Sequence, residues 1–241
     1  MKRAVLIGLN YTGTEYELPD CELDADNMAV LLKAVGVECD VVKGEVRPEA
    51  FISYLTSTAA TQHKNTDTLY IYFSGHGTQV SNRKEADRQD EALCFYDHTR
   101  GIVALKDDDL CAALDQVPGS KIIILDCCFS GGMERMINFK NSDIKRIAFT
   151  DKMQAYNLPD TLKRQKALSA GKTYFLFACG EGEVSYSTGY GGLFTNGLRR
   201  GISEAGERTI SKLMRFCRLF CGTSQTPTTK VVGGNTSKRI L

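Results

Sequence analysis

Leu125-Asp126-Cys127-Cys128-Phe129-Ser130-Gly131-Gly132 follows the apolar run Ile122-Ile123-Ile124, so an acid and a thiol stand where a buried strand gives way to a glycine turn. The carboxyl end of a strand is where a doubly wound α/β sheet keeps its chemistry. A second segment of the same design lies upstream: Leu69-Tyr70-Ile71-Tyr72-Phe73 reads as a buried strand and runs directly into Ser74-Gly75-His76-Gly77. Two strand ends therefore offer one thiol and one imidazole.

Successive side chains of a strand point to opposite faces, so Asp126 and Cys128 share a side while Cys127 points with Leu125 toward packing. Cys128 is the candidate nucleophile. The same parity groups Ser74 with His76, and if the two strands are sheet neighbours the four polar groups converge on one cleft. A free thiol has a pKa of about 8.5 and is mostly protonated at neutral pH, so His76 beside Cys128 would favour the thiolate. The glycines flanking His76 leave the backbone open, and the amides of Gly77 and Cys128 would donate to a developing oxyanion. The reaction class is acyl transfer through a thioester. The plainer alternative is a buried cysteine acting as a small hydrophobe and a histidine capping a turn.

Apolar runs alternate with helical periodicity along the rest of the chain. A first strand from about Arg3 to Gly8 leads to a helix carrying Met28, Leu31, Leu32 and Val35, then to a strand near Cys39 to Val42. Pro48 begins a second helix through Phe51 and Leu55. Later segments predict a helix from Asp108 to Leu114, a strand from Thr173 to Cys179, helices near Leu193 to Ile202 and Ile210 to Phe220, and a terminal strand near Lys230. This βαβ repetition predicts an α/β fold with a single, mostly parallel sheet flanked by helices on both faces.

With 241 residues, 42% of them hydrophobic, the chain is long enough for one such domain. Its 30 Lys+Arg nearly balance 29 Asp+Glu, so no global field points to nucleic acid or a membrane. No apolar run approaches the roughly 20 residues of a membrane span, and Met1-Lys2-Arg3 leads into a stretch too short for a signal core. Nine cysteines without a Cys-x-x-Cys pair suit a reducing cytoplasm.

At this point the residues resemble a known family, the metacaspases, caspase-related cysteine peptidases of organisms other than animals. Tyr72-Phe73-Ser74-Gly75-His76-Gly77 is similar to the family's histidine motif and Asp126-Cys127-Cys128-Phe129-Ser130-Gly131 to its cysteine motif. Cys21-Glu22-Leu23-Asp24-Ala25 is similar to the Cys-x-x-Asp-Ala segment after the first strand. Two positions depart: Phe129 stands where many members have histidine, and Cys127 often corresponds to serine. The resemblance implies a caspase-like fold over nearly the whole chain, with a larger part over about 1–132, a loop over about 133–172 and a smaller part over about 173–241, working as a monomer. It implies Cys128 and His76 as the catalytic pair, and Asp24, Asp126, Ser74 and Cys21 as the lining of the pocket for the substrate residue before the cut bond.

Two carboxylates in a partly desolvated pocket repel each other unless a cation joins them. That predicts protein or peptide substrates with Arg or Lys before the cut bond, Arg being favoured because its planar fork engages carboxylates in bidentate fashion. Asp24 as an ordinary first-turn helix acid is the alternative.

Between the two motifs the chain turns acidic, with Glu85, Asp87, Asp90 and Glu91, then Asp107-Asp108-Asp109. Clustered carboxylates suit a hard cation such as calcium. The resemblance implies Asp90, Asp107 and Asp108 as calcium ligands, with Glu134 where the family has an aspartate; the alternative is that Asp107 to Asp109 simply begin a helix. The long polar stretch from Met133 to Lys172 carries Arg135, Lys140, Lys145, Arg146, Lys152, Lys163, Arg164 and Lys166, all targets for self-cleavage by such an enzyme. A non-catalytic regulatory or scaffolding relative, or a caspase-like peptidase of other specificity, are the competing readings.

Overall fold

The computed structural model describes residues 1–81, 89–128, 144–163, 171–180, 183–206 and 208–240. Four adjacent strands run parallel, with β2 at the edge: β1 (Lys2–Gly8), β2 (Glu38–Lys43), β3 (Thr68–Ser74) and β7 (Ser120–Asp126). β9 (Thr173–Phe177) adds in parallel beside β7, and the edge strand β10 (Thr228–Val232) is antiparallel, giving the order β10-β9-β7-β3-β1-β2. The burial follows from composition. All of β3 is buried, as its unbroken apolar run requires of a central parallel strand.

Helices cover both faces. On one face α2 (Pro48–Ser53), continuing as a π-helical turn over Tyr54–Ala59 and the short α3 (Ala60–Gln62), and α4 (Asp107–Leu114) pack Phe51, Leu55, Leu110 and Leu114 against Ile7, Ile71 and Ile123. On the other, α1 (Cys21–Lys33), α6 (Leu193–Ser203) and α7 (Ile210–Cys221) pack Met28, Leu32, Leu198 and Leu213 against Leu6, Tyr72 and Ile124. Val35 lies just beyond α1 and packs against the same cluster. The sheet and its helices match the sequence expectation.

A second, four-stranded sheet does not figure in that expectation. β4 (Gly77–Ser81), β5 (Gln89–Asp97) and β6 (Gly101–Lys106) pair antiparallel, and the short β8 (Gln154–Ala155) joins β6 in parallel. It starts at Gly77, directly after the histidine motif, and its polar opening residues disguise β5 as a charged loop. The stretch read as a long loop also carries the short helix α5 (Asp160–Lys163). Among the described residues no helix is long and apolar enough to cross a membrane.

Candidate active site

β3 and β7 are adjacent and in register, with Tyr72 opposite Ile124 and Ser74 opposite Asp126, so both motifs leave the sheet at the same level. The His76 ring is buried, and its Nε2 lies 2.7 Å from the carbonyl oxygen of Tyr16. A carbonyl only accepts, so Nε2 carries the proton and Nδ1 keeps the lone pair. Nδ1 is buried with no hydrogen-bond partner among the described residues, the Cys128 thiol included. Burial lowers the imidazole pKa to about 4, against the opposing bond to Tyr16 and with help from the Lys145 charge. The ring is therefore a neutral base at pH 7.

Tyr11 fixes this histidine from behind. Its hydroxyl donates to the Cys94 carbonyl at 2.7 Å and accepts the His76 backbone N–H at 2.9 Å, while the two rings lie 4.8 Å apart. Tyr11 itself holds φ +52°, in the left-handed region. Neither Tyr11 nor Tyr16 figures in the sequence expectation. Tyr16 acts through a carbonyl that every residue has, so no side-chain signal marks it.

Cys128 is fully buried, and its Sγ accepts the Ser185 N–H at 2.8 Å. Cys127 points the other way, into the core beside Leu125, as strand parity requires. The Gly77 and Cys128 amides both donate to one atom, the carbonyl oxygen of Lys145, at 3.0 and 3.2 Å. Only glycine allows this approach: a Cβ at position 77 would sit 1.7 Å from the Cys128 carbonyl oxygen.

Lys145 also fills the acidic slot. Its Nζ lies 2.9 Å from Asp24 Oδ2, 2.9 Å from Ser74 Oγ and 3.2 Å from Asp126 Oδ2, with none of the lysine or the two aspartate side chains reaching solvent. The remaining carboxylate valences are met by the protein. Gly192 N–H donates to Asp24 Oδ1 at 2.8 Å, the Ser185 hydroxyl to Asp126 Oδ1 at 2.6 Å, and the Thr195 hydroxyl to Asp126 Oδ2 at 2.6 Å. Cys21 is fully buried, and burial pushes its thiol up to about 12.

Burial raises the Asp24 pKa, and Asp126 adds to that while Lys145 opposes it. For Lys145 itself burial disfavours the charge, but attraction to Asp126 and then Asp24 outweighs it and holds the ammonium well above the ordinary lysine range. Of the pocket residues implied by the resemblance, Asp24, Asp126 and Ser74 thus meet at one cation. That this cation is the chain's own Lys145, and that Ser185, Gly192 and Thr195 brace the slot, was not foreseen.

Backbone pairing continues on both sides. Lys145 N–H donates to the Ser185 carbonyl at 3.1 Å, Ile144 bridges Tyr186 antiparallel, and Arg146 bridges Gly77 in parallel. The segment from Ile144 to Ile147 is laid across the two strand ends as a peptide would be, with a basic side chain in the slot and its carbonyl on two amides.

The expected calcium ligands lie at the start of α4 and on β5. Burial, then the Asp108 and Asp90 carboxylates, raises the Asp107 pKa, so these acids share one neighbourhood and a hard cation would relieve their repulsion. Asp90 is buried and faces Lys106 Nζ at 3.7 Å. The oxygen donor set fits calcium, although the carboxylates do not converge as a ready cluster among the described residues. Glu134, like Glu85 and Asp87, lies outside the described residues. The group that does converge, Glu45 with Asp97 and His98, is taken up by guanidinium groups: Arg47 reaches Asp97 at 2.6 Å and Arg100 at 3.3 Å.

Comparison with known proteins places the chain in a family. The sequence profile of the caspase domain matches residues 1–231. Metacaspase-3 of Arabidopsis thaliana is 31% identical over 212 residues, 80% of this chain and 55% of that protein. Metacaspase III c of Phaeodactylum tricornutum is 34% identical over 146 residues, 54% of this chain and 43% of that protein. The chain spans about half the length of these curated relatives. Among solved structures, a protein of Geobacter sulfurreducens superposes with a TM-score of 0.75 at 20% identity, over 100% of this chain and 98% of that one. Caspase-1 of Spodoptera frugiperda does so with a TM-score of 0.61 at 16% identity, over 95% of this chain and 85% of that one. These two share the fold. With the histidine and cysteine motifs at neighbouring strand ends and the profile running through nearly all of the sequence, the chain belongs to the caspase-domain family of cysteine-type peptidases, and within it with the metacaspases.

Proposed function

We propose that the chain is a calcium-dependent cysteine endopeptidase that cleaves after Arg or Lys, and that its own Lys145–Arg146 bond is its first substrate. One observation carries this reading: Lys145 puts its ammonium on Asp24 and Asp126 and its carbonyl oxygen on the amides of Gly77 and Cys128. Those amides are aimed where negative charge would develop during attack on that carbonyl, and one such donor is worth roughly 3 kcal/mol of barrier.

In the reaction His76 Nδ1 takes the Cys128 proton and Sγ attacks the Lys145 carbonyl carbon. The oxyanion is held by the two amides, His76 returns the proton to the departing Arg146 nitrogen, and water hydrolyses the thioester. Nδ1 and the thiol are not yet hydrogen-bonded. Such contacts commonly tighten only in the reacting complex. Cleavage there yields a larger part ending at Lys145 and a smaller part beginning at Arg146, held together because β7 and β9 pair in one sheet. Since one chain supplies every group, the enzyme works as a monomer. Nine unpaired cysteines suit a cytoplasmic setting.

Asp90, Asp107 and Asp108, with Glu134, would hold the calcium, which supplies positive charge beside β5. β5 pairs with β4, the strand that begins at Gly77. Hydrolysis of otherwise identical peptides ending in Arg, Lys or Asp, with calcium or with excess chelator, tests the proposal. Turnover of the Arg or Lys peptide in calcium alone is expected. Preference for Asp, or equal rates in chelator, overturns the specificity or the calcium requirement respectively. A slot filled permanently by Lys145 is also how a non-catalytic relative would look, and absence of all turnover and of self-cleavage would favour that second reading.

A further inference from the structure

At the amino ends of β7 and β9 lies a cavity of about 370 Å³, lined by Asn65, Ser120, Lys172, Tyr174 and Lys238 together with two glycines. The catalytic motifs leave the opposite ends of the strands. At about 3.3 Å per residue, β7 sets Asp126 roughly 20 Å from this cavity. The sheet register gathers its groups: Lys121 pairs with Thr173 and donates its N–H to the Lys172 carbonyl at 2.8 Å, so Lys172 comes beside Ser120. Lys238 arrives from the last stretch of the chain, its carbonyl held by the Ile210 N–H at 3.0 Å.

Among the described residues, the side chains of Asn65, Ser120, Lys172, Tyr174 and Lys238 have no hydrogen bond or ion pair, and no carboxylate lines the cavity. Asp67, whose backbone closes on Gly119, turns its carboxylate to the Met1 ammonium and the Lys64 N–H. A third cation stands behind the wall. Lys121 is buried, and its ammonium donates to the Val117 carbonyl at 2.8 Å, with no carboxylate bonded to it among the described residues. A Cβ on Gly171 would sit 2.8 Å from that Nζ, so the ammonium lies directly against the lining. Burial disfavours its charge, and attraction to Asp115 opposes this only in part.

A buried cation is costly unless an anion comes near, and a cleft carrying one sign of charge over a low-dielectric wall concentrates counter-ions. We propose that this cavity binds a phosphate chain, inorganic oligophosphate or the triphosphate of a nucleotide, which clamps Lys172 at the start of β9 and Lys238 to the end of β7. Lys172 and Lys238 meet the phosphate oxygens as point charges, and Lys121 adds its field from behind. The Asn65 amide and the Ser120 and Tyr174 hydroxyls supply neutral donors. A ligand held only by the folded chain raises its stability.

The site stands apart from the peptidase reading, and its test needs no turnover. The full chain is titrated calorimetrically with sodium tripolyphosphate and, in a second arm, with ATP, in calcium-free buffer of fixed ionic strength. One anion per chain is expected, with a raised thermal midpoint, and the tighter of the two names the source. Lys172→Ala and Lys238→Ala are each expected to weaken binding at least about tenfold, and the double variant about a hundredfold. Lys152→Ala, on an exposed loop beside β8, should leave it unchanged. Lys121→Met should weaken it as well, although it removes no direct contact; should that variant fail to fold, the two exposed-side lysines decide. No saturable heat with either anion, undiminished affinity in the double variant, or equal weakening by Lys152→Ala overturns the proposal.

Discussion

The Lys145 ammonium meets the Asp24 carboxylate at 2.9 Å with both side chains fully buried, 121 positions apart in the chain. Removing one partner of a buried charge pair typically costs about 3–5 kcal/mol, because the other charge is stranded. Lys145→Ala strands two carboxylates and removes the charge that opposes the burial-raised pKa of Asp24. A carboxylate raised in the folded state binds its proton more tightly there than when unfolded, so the variant regains stability as pH falls. Urea midpoints should place it about 3 kcal/mol below the parent at pH 7.5 and closer at pH 5.5. The same variant, lacking the plug, should hydrolyse added lysyl peptide without first being cut.

His76 gives the parent the opposite dependence. Its folded pKa of about 4 lies below the ordinary 6.5, so the unfolded chain binds the extra proton. The associated stability is complete above about 6.5 and is lost as pH falls toward 4, amounting to roughly 3 kcal/mol over the whole window. His76→Gln should flatten the slope of unfolding free energy between pH 7 and 5. An unchanged slope would mean the ring is not held neutral by burial.

Gly192 forms the end of the slot. A Cβ there would lie 2.2 Å from Asp126 Oδ2 and 2.4 Å from Lys145 Nζ, so Gly192→Ala should exclude a basic side chain while leaving the thiol chemistry intact. Turnover of lysyl peptide should fall at least about a hundredfold, near the scale of a lost charge-assisted contact, whereas alkylation of Cys128 by iodoacetamide should persist. Equal loss of both would point to a folding defect instead.

Tyr11→Phe should separate positioning from binding. It removes the donor to the Cys94 carbonyl and the acceptor for the His76 N–H, leaving buried groups unpaired at about 1–3 kcal/mol. A drop in kcat with KM little changed is expected, together with a shifted acidic limb of the pH profile. A change confined to KM would remove Tyr11 from the positioning of His76.

The centre of the sheet was legible because β3 and β7 are nearly continuous apolar runs, and Cys127 lies in the core on the side that parity gave it. The antiparallel β4, β5 and β6 were not, since β5 opens with Gln89-Asp90-Glu91 and its acids read as a ligand cluster before they read as a strand. The acidic slot of Asp24 and Asp126 was implied by the resemblance, and its need for a cation followed from the two charges. Its occupant was not: a lysine in a polar stretch carries no local signal, and only the fold brings it beside acids from other elements. Bidentate preference for arginine was argued from free carboxylates, yet Gly192, Ser185 and Thr195 already bond three of their four oxygens.

The most direct measurement is N-terminal sequencing of the fragments formed when the full chain is incubated with calcium, compared with Cys128→Ala. The account expects a new terminus beginning Arg146-Ile147-Ala148 in the parent and none in the variant. A cut elsewhere with the 145–146 bond intact, or the same fragments from Cys128→Ala, would contradict it.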